Sequence, residues 1–103
     1  MIPFKRSLLF LVLEGRKTQT RRNPRYQYSV GKTYDVGDDW SKGSAARVLI
    51  TRKYRQRLGD MTDEEIAKEG FSNLEAFQTF WEKNVGPWEP ENIVIAYEFQ
   101  RVT

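Results

Sequence analysis

The chain has 103 residues, and its 39% hydrophobic, 30% charged and 14% aromatic residues indicate one globular domain over residues 1–103 and exclude a disordered protein. Cys and His are both absent, which excludes zinc sites built on them, thiol chemistry, haem ligation and nucleophiles activated by His. The net charge of +3 hides a segregation, because residues 1–57 carry 14 Lys and Arg against 4 Asp and Glu, and residues 58–103 carry 3 against 10. Unless the two signs mix on folding, this pattern indicates a basic surface that faces nucleic acid or a phosphate-bearing ligand.

The first predicted elements are a short strand and an apolar helix. Residues Ile2–Phe4 are typical of a strand, and Arg6–Glu14 predicts a helix that ends at Gly15. The helix is apolar on most sides, so we expect it to be buried and to plug one end of a sheet or barrel. Its apolar run is too short to cross a bilayer and has no signal-peptide cleavage site, which together with the absence of Cys predicts a cytoplasmic protein with no membrane partner.

Three extended segments follow the helix. They cover Lys17–Arg22, Gly31–Val36 and Arg47–Arg55, and the pair Asn23-Pro24 ends the first of them. In the third segment, the alternation of side chains along a strand predicts two different faces. The predicted core face carries Val48, Ile50 and Tyr54, and the predicted basic ridge carries Arg47, Thr51, Lys53 and Arg55.

Two helices and a final strand complete the chain. Capping-box patterns at Thr62–Glu65 and Ser72–Glu75 predict where the helices begin, since each hydroxyl and the Glu three residues later satisfy each other's backbone amides. Gly70 ends the first helix, Gly86-Pro87 ends the second, and Asn92–Val102 alternates as a half-buried strand does. The predicted fold class is α+β, a small, partly closed β-barrel of short, mostly antiparallel strands with an N-terminal helix and two inserted helices.

The segment from Gly15 to Arg25 is strongly cationic. It contains five Lys or Arg residues in eleven positions and no acidic residue. Cations this close repel one another unless they are solvated or neutralised by a polyanion, so we expect the segment to lie in water or to contact phosphate groups. Alternation divides the segment into two sides, one with Thr18, Thr20 and Arg22 and the other with Lys17, Gln19 and Arg21.

Glu69 occupies an unfavourable position, in the last turn of a predicted helix and next to Gly70. A carboxylate there faces the negative end of the helix dipole, at a cost of about 0.3–1 kcal/mol. A local rule that is broken without visible compensation is typical of a functional residue. The alternative is an ordinary solvated Glu whose penalty is softened by the neighbouring Lys68.

Several aromatic residues lie beside cations, as they do in readers of single-stranded nucleic acid, where rings stack on unpaired bases. Tyr26 and Tyr28 follow the cationic segment, and Trp40 lies in a Gly-rich stretch. These three are candidate stacking residues, with packing in the core as the alternative. Tyr54, although flanked by Arg and Lys, is predicted to pack in the core.

Two motifs of the chain resemble the ASCH domain family, and the resemblance covers almost the whole chain. They are Gly15–Arg22, which reads Gly-Arg-Lys-Thr-Gln-Thr-Arg-Arg, and Leu58–Phe71, followed by Leu74, Phe77 and Trp81. The resemblance implies a β-barrel of the PUA-like class, in which the Gly-Arg-Lys-Thr segment and the helix that ends in Glu69 face one cleft. It also implies RNA binding or RNA processing, because members of this family are regarded as RNA-binding modules.

Some members of the family are hydrolases, and the resemblance implies candidate catalytic residues. One branch removes the acetyl group from acetylcytidine, and ribonuclease activity is proposed for another. In the amidohydrolase branch a Lys and a Thr of the first motif work with a Glu from the following helical region, which implies Lys17, Thr20 and Glu69 here. This chain has Arg21 where that branch has an apolar residue.

The chemistry of these side chains is consistent with amide hydrolysis. A Lys that is shielded from water among Arg residues has a lowered pKa and acts as a base near neutral pH, so Lys17 could deprotonate Thr20. Glu69 would then pass a proton to the leaving amine. Because residues 17 and 20 lie on opposite faces of a straight strand, this scheme requires Lys17 to lie in the turn before the strand.

The sequence therefore predicts a basic cleft that binds RNA or a nucleotide-like ligand, with no metal and no cofactor. The alternative function is a small hydrolase of a modified nucleoside or of RNA that uses Lys17, Thr20 and Glu69. The expected nucleic-acid contacts are Arg16, Thr18, Arg21, Arg22, Arg25, Tyr26, Tyr28, Trp40, Lys53 and Arg55.

Overall fold

The computed structural model of the chain describes residues 1–25, 27–39 and 42–103. Within these residues the fold is α+β, with a five-stranded mixed sheet curved into a half-barrel and three α-helices. The elements are β1 (Ile2–Pro3), α1 (Arg6–Leu13), β2 (Gln19–Arg22), β3 (Thr33–Gly37), β4 (Ala46–Arg57), α2 (Asp63–Lys68), α3 (Leu74–Asn84) and β5 (Ile93–Arg101), with a 3-10 turn at Leu58–Asp60. The predicted fold class is confirmed, and the predicted elements are present with their ends shifted by a few residues.

The sheet has the strand order β1-β3-β4-β5-β2. The pair β1 and β3 is parallel, and the other three neighbouring pairs are antiparallel. The strands β1 and β2 are therefore the two edges of the half-barrel. The guanidinium of Arg22 in β2 donates a hydrogen bond of 2.7 Å to the carbonyl oxygen of Pro3 in β1, so a side chain bridges the two edges.

The two faces of the sheet are covered by different clusters of apolar side chains. The first cluster packs α1 against one face and includes Ile2, Phe4, Leu8, Leu9, Val12, Val36, Val48, Ile50, Ile95, Tyr97 and Phe99. The second cluster packs α2 and α3 against the other face and consists of Leu58, Ile66, Phe77, Trp81 and Val94. Successive residues of β5 thus enter opposite clusters, as the alternation of side chains along a strand requires.

A β-bulge in β4 changes which side chains share a face. The register of β4 against β5 shifts between Ile50 and Arg52, so one extra residue lies in β4 at that point. The predicted core positions Val48 and Ile50 are fully buried, as expected. Beyond the bulge the prediction was wrong, because an inserted residue inverts the alternation. Tyr54 faces α2, while Lys53 and Arg55 lie beside Tyr97 and Ile95 on the other face.

The start of α2 agrees with the capping box predicted from the sequence, and the start of α3 does not. Thr62 and Glu65 form the predicted capping box of α2, with both reciprocal hydrogen bonds present. The predicted box at Ser72 and Glu75 was wrong, because α3 begins one residue later. The side chain of Asn73 caps α3 by accepting a hydrogen bond of 2.8 Å from the amide of Ala76.

The N-terminal helix α1 is buried on one side. Leu8, Leu9 and Val12 point into the first cluster, but Phe10 is 53% exposed, so the expectation of a helix buried on most sides was wrong. Eight residues give little more than two turns, and a helix that covers one end of a sheet leaves its outer side in water. Among the described residues, none of the helices has both the length and the apolar character needed to cross a membrane.

Candidate functional site

A cleft of about 710 Å³ opens where β2, the N-terminal segment and the ends of α2 and α3 meet. Its polar lining includes Lys17, Thr20 and Glu69, which are the three residues that the sequence suggested for catalysis. Arg21, Arg22 and Tyr28 line it as well, together with the aromatic rings of Phe4, Phe80 and Trp81. A cleft of this size suits a small organic ligand, since such sites typically measure about 300–1,000 Å³.

Lys17 lies in the turn between α1 and β2, where the catalytic scheme requires it. Its backbone amide donates to the carbonyl of Leu11, which fixes the turn, and its side chain is 2% exposed. The ammonium donates to both Oε1 and the main-chain oxygen of Glu69, each at 2.7 Å. Burial lowers the pKa of Lys17, and the charge of Glu69 opposes that effect without cancelling it.

Glu69 is the C-terminal capping residue of α2 and is 3% exposed. The unfavourable position that the sequence indicated is compensated, because Lys17 contacts both its carboxylate and its main-chain oxygen at the negative end of the helix. The second carboxylate oxygen accepts a hydrogen bond of 2.9 Å from Arg21. The alternative of an ordinary solvated Glu was therefore wrong.

Thr20 is 4% exposed and faces the same cleft as Lys17. Its hydroxyl oxygen accepts a hydrogen bond of 3.0 Å from Nε of Arg22, whose guanidinium stacks over the ring of Phe4 at 4.8 Å. A cation that donates to a hydroxyl oxygen stabilises the corresponding alkoxide. The arrangement is thus chemically suited to a nucleophilic Thr.

Arg21 connects the site to a buried polar network on the α2 side of β2. Its side chain is 0% exposed and pairs with Glu65 at 2.8 Å as well as with Glu69. The guanidinium also donates to the side-chain oxygens of Gln19, Tyr54 and Gln56. Glu65 in turn accepts from Tyr54 and Gln56, and among the described residues no buried side-chain polar atom lacks a partner.

The cations of the segment from Gly15 to Arg25 have different environments. The expectation that they lie in water or contact phosphate was wrong for Lys17 and Arg21, because the carboxylates of Glu65 and Glu69 neutralise them. The basic and acidic parts of the chain therefore meet at this point. Arg16 is exposed and lies 3.6 Å from Glu14.

Apart from Tyr28, which lines the cleft, the other predicted contact residues are dispersed. Arg25 is exposed, Thr18 is half-buried beside β2, and neither lines the cleft. The ring of Tyr28 packs edge-on against Tyr34 and Tyr97. Lys53 contacts Gln27, and Arg55 is exposed further along β4. Tyr26 and Trp40 lie outside the described residues.

The predicted site did not include Glu65, Gln56 or Tyr54, and Gln19 was predicted only to share one side of the cationic segment with Lys17 and Arg21. Glu65 was explained by the capping box, which occupies its Oε1 and leaves Oε2 for Arg21. Alternation with Arg21 was a usable signal for Gln19, since both side chains lie on the same side of β2. Within the described parts of the chain, no three carboxylates cluster as a metal site would require.

Comparison with known proteins finds structural relatives only. No family model matches the chain, and no curated protein is similar in sequence.

The ASCH domain from Lactobacillus crispatus JV V101 is similar with a TM-score of 0.74 and 16% identity over 92% of this chain and 70% of that one. The ZmASCH S128A mutant from Zymomonas mobilis gives a TM-score of 0.70 and 10% identity over 97% and 68%. The hypothetical protein PH0355 gives 0.72 and 15% over 98% and 96%. The chain therefore has the fold of the ASCH domain, as its two sequence motifs suggested.

Proposed function

We propose that the cleft is the active site of a hydrolase that cleaves an amide on a modified nucleoside. Thr20 is the nucleophile, Lys17 the base and Glu69 the group that returns the proton to the leaving amine. The observation that carries the proposal is the buried Lys17–Glu69 pair, at 2.7 Å, in the same cleft as a Thr hydroxyl held by Arg22. A buried group with a perturbed pKa in a cleft, as Lys17 is here, is typical of an active site.

The proposed reaction proceeds in two halves. The reacting form is the one in which Lys17 has lost its proton. The hydroxyl oxygen of Thr20 then forms a bond to the amide carbon, and its proton moves to the amine of Lys17 and on to Glu69, which delivers it to the nitrogen as the C–N bond breaks. Water then forms a bond to the carbon of the acyl-Thr20 ester. The water proton returns through the same two groups to the Thr20 oxygen as the ester C–O bond breaks, which releases the acid.

The buried carboxylate of Glu69 favours this function over simple capture of phosphate, in a cleft that Lys5, Arg6 and Arg22 also line. Two of the cations expected to face a polyanion, Lys17 and Arg21, are already paired with buried carboxylates. A buried carboxylate such as Glu69 repels phosphate, whereas proton transfer to a leaving amine needs such a group. The aromatic rings of the lining suit a flat heterocycle better than a charged backbone.

The test is the rate of deacetylation of acetylcytidine, followed by absorbance. We expect turnover by the wild-type chain, and a loss of about 100-fold or more in kcat for Lys17→Met and for Thr20→Val, because each removes one participant in proton transfer or attack. Thr51→Val is the control, since Thr51 is exposed on β4 outside the cleft. Full activity of the Thr20→Val variant would contradict the nucleophilic role, and no deacetylation of this or other N-acylated nucleosides by wild type would contradict the proposed reaction.

A second candidate function is recognition of single-stranded RNA, and the sheet register favours it. Across β2, β5 and β4, Thr20 is aligned with Tyr97 and Lys53, and the next row aligns Arg22 with Ile95 and Arg55. The face that carries Thr20 therefore continues towards two cations of β4. These cations could contact the phosphates of an oligonucleotide whose base enters the cleft.

The RNA candidate is tested by fluorescence anisotropy of a labelled single-stranded RNA at several salt concentrations. We expect the logarithm of the affinity to fall with the logarithm of salt, and each of Lys53→Gln and Arg55→Gln to reduce the slope by about 0.7. Arg52→Gln is the control, because Arg52 lies on the opposite face of the same strand, where it pairs with Glu98. Binding that does not respond to salt would exclude this candidate.

A further inference from the structure

Arg21 lies at the centre of the buried ionic cluster, yet the proposed reaction gives it no role. Its side chain is 0% exposed and its guanidinium bridges two carboxylates, Glu65 at 2.8 Å and Glu69 at 2.9 Å. A buried cation is costly unless it is paired and hydrogen-bonded, so an Arg in this place requires a specific compensation. The two carboxylates supply it, one from inside α2 and one from its C-terminal end.

The two oxygens of Glu69 are divided between two cations. Oε1 accepts from Lys17 at 2.7 Å, and Oε2 accepts from Arg21 at 2.9 Å. Lys17 must lose and regain a proton in the proposed reaction, whereas an Arg keeps its proton at any accessible pH. When Lys17 is neutral, Arg21 therefore still compensates the buried charge of Glu69.

We propose that Arg21 is a positioning residue that holds the second oxygen of Glu69 and supplies the permanent charge against which Lys17 changes its protonation state. Glu65 is the second part of this device, because it fixes the guanidinium from the opposite side. The inference rests on the proposed function for its effect on turnover, but its effect on Lys17 exists whether or not the cleft is catalytic.

The sign of the coupling follows from the charges around Lys17. Glu69 faces it from the end of α2, Arg21 and Arg22 are nearby cations of β2, and the ring of Phe4 lies 5.9 Å from its ammonium. Removal of the positive charge of Arg21 favours the protonated form of Lys17. Removal of the negative charge of Glu65 leaves the positive charge of Arg21 less compensated, and this disfavours the protonated form of Lys17.

The experiment is an NMR titration of Lys17 in protein labelled with ¹³C-lysine, with the resonance assigned by its absence in Lys17→Met. We expect Lys17 to titrate at higher pH in Arg21→Gln and at lower pH in Glu65→Gln, with Arg21→Lys closer to wild type. Shifts of the Lys17 titration in opposite directions indicate an effect of charge, because a purely structural role shifts the titration the same way in both variants or in neither. Shifts in one common direction, or none, overturn the proposal. Should Arg21→Gln fail to fold, Glu65→Gln carries the test, since Gln is accepted in a capping box.

The pH profile of kcat/KM separates this inference from the proposed function. We expect its acidic limb to move with Lys17 in each variant, and kcat/KM at neutral pH to fall about tenfold or more in Arg21→Gln, as loss of positioning does. Opposite shifts of the Lys17 titration in a protein without turnover would reject the hydrolase. They would still support Arg21 as the residue that controls the protonation of Lys17. Turnover with unmoved NMR titrations would keep the hydrolase and reject the role of Arg21.

Discussion

The buried charges below the cleft depend on one another. Lys17, Arg21 and Glu69 are each less than a twentieth exposed, and Glu65 closes the group from its partly exposed end. Transfer of each charge out of water is unfavourable, and only the presence of the others offsets it. Single substitutions here are therefore costlier than the same substitutions at the surface.

Glu69→Gln is the direct test of that dependence. We expect it to lower the free energy of unfolding by about 3 kcal/mol, because it leaves the buried cations Lys17 and Arg21 without one carboxylate. Urea denaturation at neutral pH measures the change. Glu64→Gln is the control, since the Glu64 side chain is 78% exposed and pairs only loosely with Lys68 at 3.4 Å, so its effect should stay below about 1 kcal/mol. Equal losses in the two variants would contradict the argument.

Glu65 makes stability depend on pH in the acidic range. Burial alone would raise its pKa, but hydrogen bonds from Tyr54, Thr62 and Gln56 and the charge of Arg21 outweigh it and lower the pKa from 4.5 to about 2. Because the folded pKa lies below the unfolded one, this contribution is complete above 4.5 and is lost as the pH falls towards 2. Urea midpoints at about pH 3 and about pH 6 should differ less in Glu65→Gln than in wild type. An unchanged difference would show that other groups cause the acid sensitivity.

At the level of elements, local patterns predicted the helices and strands well and the faces of one strand poorly. The capping box at Thr62 and the stop at Gly70 are decided by nearby residues, so the sequence contains them. The bulge after Ile50 is decided by how β4 fits β5, which begins more than forty residues later. An alternation pattern cannot register such an insertion, and Tyr54 was consequently assigned to the wrong face.

The start of α3 yields a prediction about capping. Asn73→Ala should lower the free energy of unfolding by about 1 kcal/mol, because it removes the acceptor for the amide of Ala76. Ser72→Ala is the matched control, and it should be nearly neutral because Ser72 precedes the cap and is exposed. The measurement is urea denaturation of both variants. A larger loss of unfolding free energy in Ser72→Ala would support the capping box at Ser72 and Glu75 that the sequence predicts.

At the level of the whole molecule, the basic and acidic halves of the sequence fold onto each other at the candidate site. Lys17 and Glu69 are 52 residues apart in the chain and Arg21 and Glu69 are 48 apart, yet each pair is in contact. Motif resemblance placed Lys17, Thr20 and Glu69 in one cleft. The ion pairing of Arg21 with Glu65 could not be predicted from the sequence, because it depends on how α2 packs against the sheet.

The second apolar cluster supports the cleft from the α3 side, and Phe77 is its test. This residue is 1% exposed, its ring meets those of Phe71, Trp81 and Trp88, and it also lines the cleft. Phe77→Ala should lower the free energy of unfolding by about 3–5 kcal/mol through lost burial and a residual cavity. Leu74→Ala on the same helix should change it by no more than about 0.5 kcal/mol, because Leu74 is 42% exposed. Thermal and urea unfolding of the two variants measure the difference. Similar losses of unfolding free energy in both would contradict the placement of Phe77 in the core.

The bridge between the edge strands has a consequence for how the molecule responds to its ligand. Arg22 uses one nitrogen for the carbonyl of Pro3 and another for the hydroxyl of Thr20, which faces the cleft. We expect an oxygen atom of a ligand near Thr20 to compete for the same guanidinium, and occupation of the cleft to weaken the link between β1 and β2 in that way. The amide protons of Ile2 and Phe4 should then exchange with solvent faster when the cleft is filled. The N-terminal edge of the sheet would thus report occupancy, even for a ligand that is never chemically changed.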